Sequence, residues 1–476
     1  MSQVQIPIAA GVAAPAGAGL WRREAAETIR LALPIALTQL GQVAMMTSDL
    51  VLVGRLGGEA VAASALAQIV LFAVFVLGMG LVSAVAPLAA QAFGAREPRM
   101  VRRALRVGLW VSVLLGVPMT LVQWHGEGIL LALGQEPATA HLAGQYLMGL
   151  GLSIVPGWWF IALRGFMGAV NRPEPALWIT LAAIPVNAVL AYALIFGAFG
   201  LPELGLFGAG IATTLVNSGM CIVCVWVCYR QRPFRKYRVL GRFWRADWPL
   251  MWKLIVVGLP ISGSFLLEYG LFASAAIMVG WIGTVELAAH QIALQTAAVV
   301  FMVPFGISMA ATVRVGHAVG RVDRNGVRNA GIAAIVLGAI FMAAMVIVIV
   351  AARHLIPWAF LGTADAVSEA TAALVATLLV FGATFFIADG IQTVANGALR
   401  GLNDTRVPML FAGLSFWVVG FSCCYALAFH WGYGVAGIWA GFTIGLLLYA
   451  VLLVWRFAVL TQRGVMPAAP HAPMPH

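Results

Sequence analysis

Long apolar runs recur along this chain from Ile29 to Phe457, and no other feature of the sequence constrains its fold as strongly. Crossing a hydrocarbon core of ~30 Å takes about 20 apolar residues of helix. Twelve runs meet that length, at 29–54, 60–92, 104–123, 142–165, 176–198, 206–228, 251–280, 285–313, 329–351, 368–396, 407–429 and 434–457. Only 9% of the 476 residues are charged, against roughly 25% in soluble domains, so the chain cannot clothe a water-facing surface. The expectation is an all-α polytopic membrane protein of twelve transmembrane helices. Residues 1–20 hold no Lys or Arg and so lack the charged start of a cleaved signal. Residues 1–28 and 458–476 are expected to be disordered, and the histidines of the tail, His471 and His476, to be solvated rather than metal-bound. The five cysteines fall in apolar runs and read as small buried residues.

The charges are distributed by sign. With both termini on the cytoplasmic side, all but two of the 28 Lys and Arg, Arg55 and Arg353, fall on the inner side. The acidic loop residues divide evenly between the two sides. That is the positive-inside rule, which counts Lys and Arg and largely ignores Asp and Glu. It predicts a multi-pass inner-membrane protein with both termini cytoplasmic. The densest basic segment, Arg230 to Arg245, lies between spans six and seven. Its expected partners are anionic lipid head groups, not nucleic acid. Three carboxylates of the 17 fall within spans: Asp49, Glu268 and Asp389. Each costs roughly 3 kcal/mol at mid-membrane and so is expected to face a cavity or a partner. No intramembrane Lys or Arg is apparent to neutralise them.

The halves of the chain repeat one another. At an offset of 226 residues, Leu33-Pro34-Ile35 meets Leu259-Pro260-Ile261, Gly80-Leu81 meets Gly306-Ile307, and Gly94 meets Gly320. At 227, Gly205 and Gly210 meet Gly432 and Gly437. Six spans per half gives a parallel repeat, with substrate sites between the halves. The lobes are expected at 29–228 and 251–457, joined by a basic cytoplasmic linker at 229–250. The carboxylates break the repeat: Asp49 is matched by Ala275, and Glu268 by Gln42. Such asymmetry marks function rather than scaffold.

In order along the chain stand Asp49 with Val53-Gly54-Arg55-Leu56-Gly57, Gln91-Ala92-Phe93-Gly94-Ala95, Pro185-Val186-Asn187 and Pro202-Glu203-Leu204-Gly205. Lobe two has Glu268, Ala288-Ala289-His290-Gln291, Arg314-Val315-Gly316-His317, Asp389-Gly390-Ile391-Gln392 and Leu399-Arg400-Gly401-Leu402-Asn403-Asp404. From Leu33 to Trp455 the sequence resembles the multidrug and toxic compound extrusion (MATE) family in its NorM-like bacterial branch. The resemblance implies two six-helix lobes around a cleft, alternating access, and efflux of cationic drug-like molecules in exchange for Na⁺ or H⁺. It also implies that Asp49 is the lobe-one membrane aspartate, with Asn187 beside it. Glu268 and Asp389 match the carboxylates of cation coupling. One turn before Asn187, where a family member is polar, this chain has Ala183, which leaves a lobe-one proton site incomplete.

Helical spacing adds neighbours. Gln392 and Asn396 share a face with Asp389, and Gln291 shares one with Gln295. Carboxylate and amide oxygens suit a hard cation, while hydrogen bonding between helices explains the glutamines equally well. Phe265, Tyr269 and Phe272 flank Glu268 at helical spacing, as stacking surfaces for flat cations or as lipid-facing packing. His290 reads as an interfacial packing residue. The candidate coupling-ion ligands are therefore Glu268, Asp389, Gln392 and Gln295, the first two being the candidate Na⁺ carboxylates. The candidate substrate path is Asp49, Asn187, Gln42, Gln291, Tyr269 and Phe265. No cofactor and a monomeric state are expected. The alternative is a lipid-linked precursor flippase of related fold, for which buried arginines would be expected. An enzyme is not indicated, since G-x-S-x-G, H-E-x-x-H and P-loop patterns are all absent.

Overall fold

The computed structural model describes residues 17–241, 243–244, 247–361 and 366–463, and among them there is no strand. Twelve helical spans follow one another: α1 Gly17–Gly54, α2 Gly58–Gly94, α3 Pro98–Trp124, α4 Pro137–Ala169, α5 Glu174–Phe196, α6 Gly205–Arg230, α7 Trp248–Ile282, α8 Thr284–Gly320, α9 Arg324–Ala352, α10 in two pieces, Ala366–Phe381 and Ala383–Gly401, α11 Arg406–His430 and α12 Gly434–Gln462. Each run read from the sequence falls within one of these helices, except that 176–198 runs two residues past Phe196, where Gly197 turns to a positive φ of 69° and ends α5. The pieces of α10 meet at 52°. Gly382 forms the break, packed against the Trp439 ring, where a side chain would crowd. In α4 the helix tightens to a 3₁₀ turn at Gly151–Ser153, just before Pro156, whose ring has no N–H to bond back to that turn.

Both ends of the folded region are longer than the sequence suggests. Residues 17–28 are helical rather than disordered. Arg314 is the cause: its guanidinium donates to Glu24 and Glu27 and, at 2.6 Å, to Thr28, which ties the start of α1 to α8. At the other end α12 runs on to Gln462, anchored by Arg456 Nε donating to Asp404 at 2.8 Å. Residues 1–16 and 464–476, with His471 and His476, lie outside the described residues, as do Arg242 and Arg245. The linker between α6 and α7 is seated on lobe one. Phe234 and Tyr237 are buried against Phe166, and Trp110 stacks on Phe243 while donating to its carbonyl at 2.7 Å. Asp247, at the head of α7, is opposed by burial, but the bond from Arg103 at 2.5 Å and the nearby Arg106 outweigh it and hold its carboxyl below the usual range. The anchoring is therefore full above the ordinary carboxylate range and is lost as pH falls through the lowered value.

The two lobes join most closely at one end. At that end a single apolar core runs through Leu31, Val85, Leu105 and Phe166 of lobe one into Ile307 and Val313 of lobe two. The far end of lobe one has a separate core around Val53, Ala63, Leu147 and Leu206. The joint is made of small residues placed by the repeat. A Cβ at Gly80 would collide with Ser262 of α7, and one at Gly306 with Ala36 of α1. A Cβ at Gly94 would meet the His317 carbonyl, and one at Gly320 the Gln91 carbonyl. Each pair is the other shifted by 226 residues. Gln91 completes the seal, donating to the Gly401 carbonyl at 2.9 Å and accepting from Asn403 at 2.8 Å. The repeat reaches the backbone as well: Arg96 and Val322, also 226 apart, both adopt positive φ, 59° and 58°, a conformation rare for a β-branched residue.

Candidate functional site

The three membrane carboxylates fall into two clusters, one per lobe. In lobe one, Asp49 lies on α1 beside α5 and α6. Asn187 is fully buried and its amide donates to Asp49 Oδ1. Thr213 of α6 donates to Asp49 Oδ2 at 3.3 Å. Both carboxylate oxygens thus have a donor, although Ala183 offers none. Thr213 carried no signal in the sequence beyond being a hydroxyl in an apolar run.

In lobe two, Glu268 of α7 and Asp389 of α10 are brought to one amide. Gln392 Nε2 donates to Glu268 Oε1 and to Asp389 Oδ1, 3.0 Å each, and lies 3.2 Å from the Thr393 hydroxyl. The spacing that put Asp389, Gln392 and Asn396 on one face holds: Asn396 lies one turn further on and donates to Tyr449 at 3.2 Å. The next position on that face is Arg400. It is buried, stacked over the Phe265 ring at 4.7 Å, and close enough to Glu268 to interact with its charge. The expectation that no basic residue neutralises the carboxylates is therefore corrected. Arg400 sits at the end of its helix, as the sequence places it, but its side chain turns along the helix face into the lobe.

Other expected site residues divide. Arg400 covers one face of the Phe265 ring. Tyr269 stacks on Phe72 of lobe one at 4.3 Å, and Phe272 packs among Phe385 and Phe442. Gln291 and Gln295 are exposed and bond to neither carboxylate. They lie two positions on from the buried stripe Ala289, Ala293 and Ala297, and two residues turn a helix by ~200°. His290 is fully buried rather than interfacial, with Trp439 donating to its Nδ1 at 3.2 Å. All five cysteines are unpaired.

In lobe one, closed on one side by Phe305 and Met309 of lobe two, is a cavity of about 110 Å³. Gln39 and Gln42 of α1, Arg164 of α4 and Asn217 of α6 give it a polar wall, while Phe75, Phe160 and Phe305 are among its apolar lining. Arg164 is buried, and its Nη1 donates to Gln39 and, at 3.2 Å, to Gln42. Arg164 thus places a positive charge on the cavity wall. Among the described residues no three His, Cys, Asp or Glu side chains come together, so an ion here would meet at most a pair of carboxylates with amide and hydroxyl groups.

Twelve spans in two repeated lobes, with membrane carboxylates in each and a polar cavity in lobe one that reaches α8 of lobe two, define a helical membrane transporter. A family model described as MatE matches residues 34–193 and 260–426, and the chain belongs to that family, in its NorM-like bacterial branch. Curated relatives named probable multidrug resistance protein NorM include one from Rhodopseudomonas palustris, 63% identical over 97% of both chains. Another, from Bradyrhizobium diazoefficiens, is 58% identical over 93% of this chain and 95% of the relative. Among solved structures, the eukaryotic MATE transporter AtDTX14 superposes with a TM-score of 0.82 at 21% identity, covering 94% of this chain and 99% of that one. A multidrug resistance MATE family transporter in an outward-facing conformation gives 0.84 at 19% identity, covering 96% and 100%. These structures share the fold.

Proposed function

We propose that this chain is a secondary-active multidrug efflux antiporter. It exports hydrophobic organic cations, such as ethidium-like dyes, some fluoroquinolones and quaternary ammonium compounds, in exchange for Na⁺ or H⁺ by alternating access. The observation that carries the reading is the Glu268–Gln392–Asp389 cluster. Two carboxylates on one amide repel each other in a low-dielectric interior, and a monovalent cation or a proton between them relieves that repulsion. Carboxylate, amide and hydroxyl oxygens are the ligands a hard cation takes. Occupancy by the coupling ion and by an organic cation then oppose each other, and the coupling is reciprocal. The relatives' name, multidrug resistance protein, supports the substrate class. Efflux from proteoliposomes driven separately by a Na⁺ gradient and by a pH gradient tests the proposal: one or both accelerate export, and export indifferent to both sinks it.

The arginines give the flippase alternative some weight, because Arg164 faces the central cavity. A bulky anionic carrier needs more than one cation along its path, however, and no second Lys or Arg lines that cavity.

The distribution of Lys and Arg supports a bacterial inner membrane location with both termini and the 230–245 segment cytoplasmic. The joined end of the lobes is then the cytoplasmic end, and the cleft opens outward. The basic segment adjoins anionic lipid heads, and the protein works as a monomer, each chain holding both lobes. Lys236→Cys, in a background with the five native cysteines replaced, is expected to react with an impermeant maleimide in inside-out vesicles and to stay unlabelled in intact cells. Labelling in intact cells would invert the topology.

A further inference from the structure

Arg400 is held differently from Arg314 and Arg106, which are buried and paired. Arg314 meets Glu24 and Glu27, and Arg106 lies 3.8 Å from Asp247. Arg400 is buried inside lobe two and, among the described residues, forms no ion pair and leaves its Nε without a hydrogen-bond partner. Its guanidinium lies over the Phe265 ring at 4.7 Å, and Phe265 stands one turn of α7 before Glu268. From there Arg400 acts on the charge of Glu268 through space rather than by contact.

The carboxylates keep one oxygen each for a ligand. Gln392 donates to Glu268 Oε1 and to Asp389 Oδ1, and no donor among the described residues reaches Glu268 Oε2 or Asp389 Oδ2. A guanidinium paired with Glu268 directly would cover both of its oxygens with parallel N–H bonds. The Phe265 ring holds Arg400 back from that position, so its charge is present while the ligand oxygens stay open. With both carboxylates ionised, two negative charges and one positive leave the lobe interior with one net negative charge. Net charge in a low-dielectric interior is costly. One monovalent cation cancels it, and a second would restore the imbalance with opposite sign. Without Arg400 the same two carboxylates would call for two cations.

We infer that Arg400 is a built-in counter-cation that fixes the ion stoichiometry of transport, standing in for a second coupling ion so that one Na⁺ or H⁺ exchanges for each monovalent organic cation. Arg400 touches neither ion nor substrate; it is a positioning residue that sets the charge of the cluster, and Phe265 keeps it off the carboxylate oxygens. Exchange of one charge for one is electroneutral, so the membrane potential neither drives nor opposes it. The inference rests on the antiport reading above and adds the ion count, which that reading leaves open.

Flux reversal in proteoliposomes provides the test, with ethidium as probe and the membrane potential clamped at zero by potassium and valinomycin. A gradient of about tenfold is imposed in the coupling ion (Na⁺ or H⁺, whichever drives export), and the ethidium gradient that stops net flux is read. The wild type is expected to balance at about tenfold, the mark of one ion per dye, since each tenfold ratio carries the same free energy. Balance at about a hundredfold means two ions and overturns the inference without any variant. Arg400→Gln is expected to move the balance to about a hundredfold, and Arg400→Lys to keep it near tenfold. A tenfold balance that survives in Arg400→Gln overturns the inference too. A rescue gives a readout that a merely structural role would not produce. Glu268→Gln alone leaves the interior neutral and loses exchange. Adding Arg400→Gln to it restores one net negative charge and is expected to raise exchange about tenfold over Glu268→Gln alone. A folded double variant that exchanges no faster than Glu268→Gln counts as a refutation. Flux indifferent to both ions has no reversal gradient at all; that result sinks the antiport reading and takes this inference with it.

Discussion

Glu268→Gln and Asp389→Asn are each expected to lower gradient-driven efflux by about 100-fold, the effect of losing ~3 kcal/mol of cation binding. Both substitutions keep the shape of the cluster. The new amide still presents an oxygen to Gln392, whose nitrogen donates to Glu268 and Asp389 alike. Expression and monodispersity should therefore match the wild type, and the loss appears in transport alone. Asp49→Asn is milder and dependent on substrate, because Asp49 belongs to the lobe-one cluster with Asn187 and Thr213. The measurement is the initial rate of dye efflux from proteoliposomes under an imposed Na⁺ or pH gradient. Wild-type exchange in both lobe-two variants would move the coupling site elsewhere.

The second large effect is expected at the joint between the lobes. Gly320→Leu places a side chain where even a Cβ would strike the Gln91 carbonyl, and overpacking of this kind costs ~1–3 kcal/mol. If this end opens and shuts as the proposed alternating access requires, the obstruction exists only when it is shut and acts against one state of the cycle rather than against the fold. Efflux should fall by about tenfold, as ~1.4 kcal/mol against that state implies. A maleimide applied to the joined end should label Met309→Cys, on the cavity wall, faster in the Gly320→Leu background than without it. Gly94→Leu, its repeat-mate, should behave alike. Transport and labelling unchanged by leucine at 320 would show that the joint does not close tightly during turnover.

The spans were legible because twenty-residue apolar runs leave few alternatives, and the lobe-two cluster because Asp389, Gln392 and Asn396 are spaced for one helical face. The same spacing reaches Arg400, four residues on, but its position at a helix end masked its rotation into the lobe. Arg164 was hidden for the same reason: hydropathy places a residue along the membrane normal and says nothing of the direction its side chain takes. Thr213 needed a tertiary fact, that α6 lies beside α1 at the height of Asp49. Gln295 shows the opposite error, since its spacing from Gln291 was right but the buried stripe of α8 runs on another face. The motifs Gln91-Ala92-Phe93-Gly94 and Arg314-Val315-Gly316-His317 carried the family resemblance without disclosing that they face each other across the joint.

The joint has a mechanical consequence. Gly80 meets Ser262 as Gly306 meets Ala36, and Gly94 meets His317 as Gly320 meets Gln91, which is the reciprocal pattern of a dimer interface with a two-fold axis. A bearing whose two faces are interchangeable has no leading side. The rocking that the proposed alternating access requires would unseat both members of each pair together. If the proposed ion exchange takes place at Glu268 and Asp389, it is confined to a single lobe, yet the lever it would work belongs equally to both.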